Sequence, residues 1–233
     1  MSGNGIDYLV VCSPNYLHDS HTRLGLRLGA DVICEKPVTL NERNLISLIE
    51  AEQLSDNRVW CIMQARLHAE VVRLRQNLQN STKSERHQVE IEYITPRGQW
   101  YDYSWKGDLS KSGGVETNIG IHLFDLVSWL FGAAQEATCN AADARSYKGS
   151  LVLAKADVNF HLSVNADKLP ANQINSLRSF SVDGKTYDLS RDFETLHKSS
   201  YSAILAGEGF TLEDARPAVR IVEMLRGLRK KAE

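Results

Sequence analysis

Apolar residues in the first third of the chain fall into short runs separated by stretches of helical period. Asp7 to Cys12 (Tyr8, Leu9, Val10, Val11), Asp31 to Cys34 and Val59 to Met63 are the runs. Each reads as a strand, and Val32, Ile33 and Cys34 have the size of one buried on both faces. Three stripes follow them at helical spacing: Leu17, His21, Leu24 and Leu28; then Leu45, Leu48 and Ile49; then Leu67, Val71, Leu74 and Leu78. Gly29 suits the C-cap of the first, and Thr39 or Asn41 the N-cap of the second. Strands separated by amphipathic helices predict a parallel sheet with right-handed crossovers.

After Lys83 the period changes. Val89, Ile91 and Tyr93 alternate with Glu90 and Glu92, which predicts a half-buried strand. A loop rich in Gly, Trp and Tyr runs from Pro96 to Gly114, and a helix is expected from near Ile119 to Gly132. Ala154 to Val164 is the clearest strand: Ala156, Val158, Phe160, Leu162 and Val164 face one way, Lys155, Asp157, Asn159, His161 and Ser163 the other. Asp183-Gly184 predicts a type I′ hairpin. Helices follow from about Phe193 and Thr211, the second opened by the capping box Thr211-Leu-Glu-Asp214. Pro217 is expected to bend that helix or delay its start. The plan is α/β: a parallel piece over residues 1–83, then an α+β domain over 84–233 with a mostly antiparallel open sheet.

Composition narrows the function classes. Of 233 residues, 42% are hydrophobic and 24% charged, ordinary for a globular chain with a substantial core. A net charge of −2 gives no electrostatic reason to expect nucleic acid or an anionic membrane as partner. No apolar run has the length of a bilayer span, and no signal pattern opens the chain. The four cysteines (Cys12, Cys34, Cys61, Cys139) lack C-x-x-C spacing, and three end apolar runs. They read as free, buried thiols in a reducing cytoplasm. The basic stretch Arg226 to Lys231 reads as the complement of a helix C-terminus.

Chemistry concentrates in three stretches. In Asp31-Val-Ile-Cys-Glu-Lys-Pro37, Pro37 ends the strand and leaves Glu35 and Lys36 at its carboxyl end. Ligands of open α/β sheets bind at that edge, and a lysine half withdrawn from water there can serve as acid or base. A solvated Lys36 paired with Glu35 is the plainer alternative. Ser13-Pro14-Asn15-Tyr-Leu-His18 occupies the carboxyl end of the first strand, where Ser13 and Asn15 suit either a ligand or a turn and helix cap. His18 and His21 share a helix face, but without nearby acids or cysteines they make no metal site. Gly113-Gly-Val-Glu-Thr-Asn118-Ile-Gly120-Ile-His122-Leu-Phe-Asp125 places His122 and Asp125 on one helix face, with Asn118 just ahead.

The SPNYLH loop, the EKP motif and the GG…N-x-G-x-H-x-x-D helix together resemble the Gfo/Idh/MocA family of NAD(P)-dependent sugar dehydrogenases. Ile94-Thr-Pro-Arg97-Gly-Gln-Trp100, Trp105-Lys106-Gly-Asp108 and Leu196-His197…Tyr201…Ile204-Leu-Ala-Gly207 look like its UDP-N-acetylglucosaminuronate 3-dehydrogenases. The resemblance implies a Rossmann domain joined to an open-sheet α/β domain, acting in the cytoplasm as a homo-oligomer (dimer or tetramer). The implied reaction is NAD-dependent oxidation of the C3 hydroxyl of a UDP-linked amino-uronic acid, in surface polysaccharide synthesis. It makes Lys36 and His122 the proton-transfer pair, without deciding which takes the proton. It sets Ser13, Pro14, Asn15, His18, Glu35, Lys36 and Pro37 along the cofactor. Gln64, Arg66, Arg97, Trp105, Lys106, Asn118, Asp125, His197 and Tyr201 become candidates for the nucleotide sugar.

One departure stands out. The family's first strand is followed by G-x-G-x-x-G, whose N–H groups hold the cofactor pyrophosphate. Here Gly3-Asn-Gly5 precedes a strand, so the expectation is a chain holding only the second half of the Rossmann sheet. An inactive nucleotide-sugar binding module and an oligomer subunit remain the alternatives to an enzyme.

Overall fold

The computed structural model describes residues 5–81, 85–171, 175–189 and 193–232, so Gly3 and Asn4 lie outside the described residues. Strands and helices alternate first: β1 (Tyr8–Val11), α1 (His18–Arg27), β2 (Asp31–Cys34), α2 (Glu42–Gln53), β3 (Val59–Cys61) and α3 (Ala69–Gln79). 310 turns at Asn15–Leu17 and Gln64–Leu67 follow β1 and β3. The three strands form a parallel sheet in chain order, with Val10 opposite Ile33 and Cys34 opposite Cys61. Val32, Ile33 and Cys34 of the central strand are all buried, whereas Tyr8 and Val10 of the edge strand β1 are exposed. Asn41 is the cap of α2, its side-chain oxygen accepting from Asn44 N–H at 2.8 Å, while Thr39 donates to the Asn41 carbonyl.

α1 departs from its expected face. His18, Thr22, Gly25 and Leu26 are buried, whereas Leu24 and Leu28 are exposed. Gly25 is the reason: a Cβ there would lie 2.5 Å from Val32 Cγ2, so the helix approaches the sheet through its small residue. That rotates the leucine stripe outward.

The second part runs β4 (His87–Ile94), α4 (Trp100–Tyr103), α5 (Leu109–Ser112), α6 (Val115–Asn118), α7 (Ile121–Phe131), β5 (Ala134–Asp143), β6 (Ser146–Leu153), β7 (Ala156–Ser163), β8 (Leu177–Val182), β9 (Lys185–Tyr187), α8 (Phe193–Leu205) and α9 (Leu212–Ala232). Its sheet order is β5-β6-β7-β4-β8-β9, antiparallel except for the β4–β7 pair. The stretch expected as a loop thus holds two single-turn helices, α4 and α5, with α6 just beyond it, and β5 and β6 lie where the pattern shows no strand. Two register irregularities in β5 interrupt its alternation. The hairpin turn is as expected, with Asp183 and Gly184 at φ 51° and 80°.

α7 packs on the inner face of this sheet, where Phe124 meets Phe160 edge-on at 5.1 Å. α9 joins the two cores. Leu212, Ala215 and Val219 pack with the first sheet, and Ala218, Ile221, Val222 and Leu225 with the second. Its capping box forms, Thr211 N–H donating to Asp214 Oδ2 at 2.8 Å, and fixes the start ahead of Pro217. The helix therefore begins on time and continues through the proline. Arg226 and Arg229 tie it to the body rather than to its own end: Arg226 donates to the Leu40 carbonyl, and Arg229 pairs with Glu116.

The cysteines are free, but only Cys34 and Cys61 are buried, the Cys34 thiol being pushed up to about 12 by desolvation. Cys12 lies one residue past β1 and is exposed. No described helix is long and apolar enough to cross a membrane.

Gly120 sets how closely α7 can lie on the sheet. A Cβ there would meet the Glu116 carbonyl at 2.5 Å and Leu162 Cδ1 at 2.6 Å. Gly120→Ala is expected to cost about 1–3 kcal/mol of stability, read by denaturant titration, as overpacking does. An unchanged midpoint would show that the helix can shift freely.

Candidate active site

The carboxyl edge of the parallel sheet carries two short segments, the loop after β1 and the turn after β2. His18 binds them together, its Nδ1 2.7 Å from the Pro37 carbonyl and its Nε2 2.6 Å from the Ser13 carbonyl. His21 Nδ1 lies 2.9 Å from Ser13 Oγ, so both histidines are engaged within the loop. Glu35, Lys36 and Pro37 follow directly, and the Lys36–Pro37 peptide is cis.

Asn118, at the end of α6, brings the second domain against this edge. Its side chain donates to the Lys106 carbonyl at 3.1 Å and accepts from the buried Asn15 amide, also at 3.1 Å. Its carbonyl accepts from Lys36 Nζ at 3.1 Å. Asn15 donates as well to the Ser112 carbonyl at 2.8 Å. Tyr101, which sequence reasoning passed over among several loop aromatics, places its hydroxyl 3.4 Å from the Asn118 amide.

Burial lowers Lys36 to about 8, with nearby Lys106 pushing the same way and Glu35 opposing. His122, on the first turn of α7, is held well below its ordinary value by burial and then by the charges of Lys36, Arg178 and His197. It is therefore neutral at physiological pH. Lys106 stands 5.6 Å from the ring centres of both Trp100 and Trp105. Gln64 is buried with its amide nitrogen 3.3 Å from His197 Nε2, and His197 Nδ1 lies 3.9 Å from Glu35 Oε1. Tyr201, one turn further along α8, packs with Ile33, Ile62 and Ile204. Arg97 is half-buried at the start of the loop after β4.

Arg66 and Asp125 are turned to each other. Arg66 Nε and Nη2 donate to the Asp125 carboxylate at 3.0 and 2.6 Å, and Nη2 reaches the Asp214 carbonyl at 2.8 Å. With Phe210 and Trp129 rings 5.0 and 5.7 Å from the guanidinium, the pair forms a buried floor. Arg178 and His68, both near His122, were missed, since only the fold brings β8 and the start of α3 beside α7.

Residues 1–63 match the family model for the NAD-binding Rossmann fold of the Gfo/Idh/MocA oxidoreductases, and residues 85–152 match the C-terminal alpha/beta domain of the same family. The structure also aligns with the WlbA (WbpB) dehydrogenase of Thermus thermophilus, in complex with NAD and alpha-ketoglutarate. There the identity is 40% and the TM-score 0.93, over 97% of this chain and 74% of that one. The chain belongs to the Gfo/Idh/MocA family. The same Thermus enzyme in complex with NAD and UDP-GlcNAcA aligns at 39% identity and TM-score 0.91, over 97% of this chain and 73% of that one. The myo-inositol 2-dehydrogenase of Thermotoga maritima is 25% identical over 131 residues, 56% of this chain. The matches span only 37% and 38% of the first curated relatives' lengths.

In this family member the Arg66–Asp125 pair has a testable cost. Arg66→Met leaves a buried carboxylate without its partner and is expected to lose about 3–5 kcal/mol in chemical denaturation. Arg66→Met combined with Asp125→Leu should recover most of that loss. Equal stability of the single and double variants would show that the carboxylate finds another partner.

Proposed function

We propose that the chain is the catalytic core of an NAD-dependent dehydrogenase that oxidises the C3 hydroxyl of UDP-linked N-acetylglucosaminuronate to the ketone. Its place would be in the supply of precursors for surface polysaccharide. The observation that carries the reading is the pairing of a desolvated Lys36 with a neutral His122 at the carboxyl edge of a parallel sheet. The Thermus relative that holds UDP-GlcNAcA and NAD supports the choice of substrate and cofactor.

The Ser13–His18 loop and the Glu35–Pro37 turn, clamped together by His18, fit the nicotinamide side of NAD. NAD when bound supplies the hydride acceptor. Lys36 takes the hydroxyl proton as the C3–H bond breaks and the carbonyl forms. It is the better base of the two, because a group near 8 accepts a proton far more readily than one held well below 6.5. His122 stays neutral and orients the hydroxyl by hydrogen bonding. Lys106 and Arg97 offer positive charge to the carboxylate and diphosphate.

Reduction of NAD by the nucleotide sugar tests the reading. Deuterium at C3 should pass to the reduced cofactor, and deuterium at C4 should stay in the sugar; the reverse result would refute the assigned position. The oxidation rate should rise with pH through about 8, since the free amine is the active form. Lys36→Met should abolish that limb and lower turnover by ~10²–10⁴-fold, with His122→Asn costing less. Activity above about a tenth of normal in Lys36→Met would remove the lysine from its role.

A further inference from the structure

Two asparagines join the domains at the Lys36 edge, and the side-chain N–H groups of both are engaged. Asn15, 6% exposed, donates from its side-chain nitrogen to the Ser112 carbonyl at 2.8 Å and to Asn118 Oδ1 at 3.1 Å. Asn118 donates in turn to the Lys106 carbonyl at 3.1 Å and to the Tyr101 hydroxyl at 3.4 Å. The network has one direction. The Ser112 and Lys106 carbonyls accept and cannot donate, so each amide turns its nitrogen toward one of them. Asn118 Oδ1 is thereby left facing Asn15.

The Asn118 backbone carries this order to Lys36. Its N–H donates to the Gly114 carbonyl at 2.8 Å, and its carbonyl accepts from Lys36 Nζ at 3.1 Å. A carbonyl aimed at an ammonium stabilises the charged form, so its placement bears on when Lys36 gives up a proton. The other groups around Lys36 are Glu35 beside it, Lys106 from the loop after α4, and His122 and Asp125 of α7. The Cys34 and Cys61 thiols line the same small interior void. Glu35 favours the ammonium and Lys106 opposes it, while His122 is neutral and Asp125 is engaged by Arg66.

We propose that Asn15 is a positioning residue for Lys36 that acts through Asn118, fixing the Asn118 turn so that its carbonyl meets the ammonium. The N–H groups of Asn15 serve that task and not the cofactor. The inference deepens the function proposed above and rests on it, since the placement of Lys36 bears on the reaction through the proton that Lys36 takes. Asn15 stands on the loop after β1 and Lys36 on the turn after β2, yet the bonds that connect them pass through the second domain. Closure of the two domains is thereby tied to the state of the lysine.

NMR titration of isotope-labelled lysine side chains tests this without substrate or cofactor. Lys36 should titrate at about 8 in the protein. Asn15→Ala should lower that by about 0.5–1 pH unit, part of the worth of a hydrogen bond to a charged group. Asn118→Ala should lower it too, and the double variant should match Asn118→Ala alone, because Asn15 then has nothing to act through. Asn15→Ser, with one hydroxyl donor for two acceptors, should give a smaller fall and decides the matter should Asn15→Ala fail to fold. An unchanged Lys36, or additive shifts in the double variant, would overturn the inference. So would a rise toward the ordinary lysine value, which would mean that the domains part and water reaches Lys36. In NAD reduction by the nucleotide sugar, the pH at which turnover rises should move down with Lys36 in Asn15→Ala. A limb that stays in place while Lys36 shifts would instead bring down the role of Lys36 in the proposed function and leave its positioning by Asn15 standing.

Discussion

A guanidinium 3% exposed between two sheets has to find every partner inside the protein. Arg66 does so by drawing three elements onto itself: the turn after β3 that carries it, α7 through Asp125, and the start of α9 through the Asp214 carbonyl. Apolar packing at this seam is non-directional, and leaves a small void lined by Cys61, Met63, Ile121 and Val219. The ion pair supplies what packing lacks, a fixed rotation of α7. Asp125 lies one turn beyond His122, so that rotation determines how His122 stands toward Lys36. The cost shows in Asp125 itself, whose carboxyl is raised by burial despite the charge of Arg66.

A second buried pair does the same on the other side of the site. Glu116 is fully buried and accepts from Arg229 Nε and Nη2 at 3.1 and 2.8 Å. Burial raises its carboxyl, and Arg229 opposes the shift. Glu116 precedes Asn118 by two residues, so the pair anchors the turn whose carbonyl receives Lys36. Lys36 and His122 thus occupy a gap between two rigid, internally neutralised supports. Neither support has charge to spare for the gap, and the groups facing it are Lys36, Lys106, Arg178 and His197 with Glu35.

Much of this was legible in the chain. The three apolar runs became β1 to β3, the alternation in 154–164 became β7, and Asp183-Gly184 made its turn, because each signal is local in origin. The EKP and N-x-G-x-H motifs did meet at one edge, since strand ends and helix starts place them there. What failed depended on partners distant in sequence. The leucine stripe of α1 looked like a core face until Gly25 drew the helix in by another side. Arg66 and Asp125 are the right residue types for a charged ligand, and nothing local shows that 59 positions apart they take each other. Arg178 comes beside His122 because β8 pairs with β4, and His68 because the start of α3 lies against α7, neither of which sequence spacing encodes.

The same seam sets the protonation of Lys36 and His122 apart. Placed together in low dielectric, two basic groups cannot both hold a proton cheaply, and each lowers the other's affinity for one. Lys36 keeps the stronger claim, through its intrinsic basicity, the Asn118 carbonyl and the charge of Glu35. At His122 burial acts first, and Lys36, Arg178 and His197 press it further toward the neutral form. The environment therefore sets the protonation of the two groups apart although they lie side by side. The positive charge around this gap lies on the Lys106 and Arg178 sides, with apolar walls beyond His122.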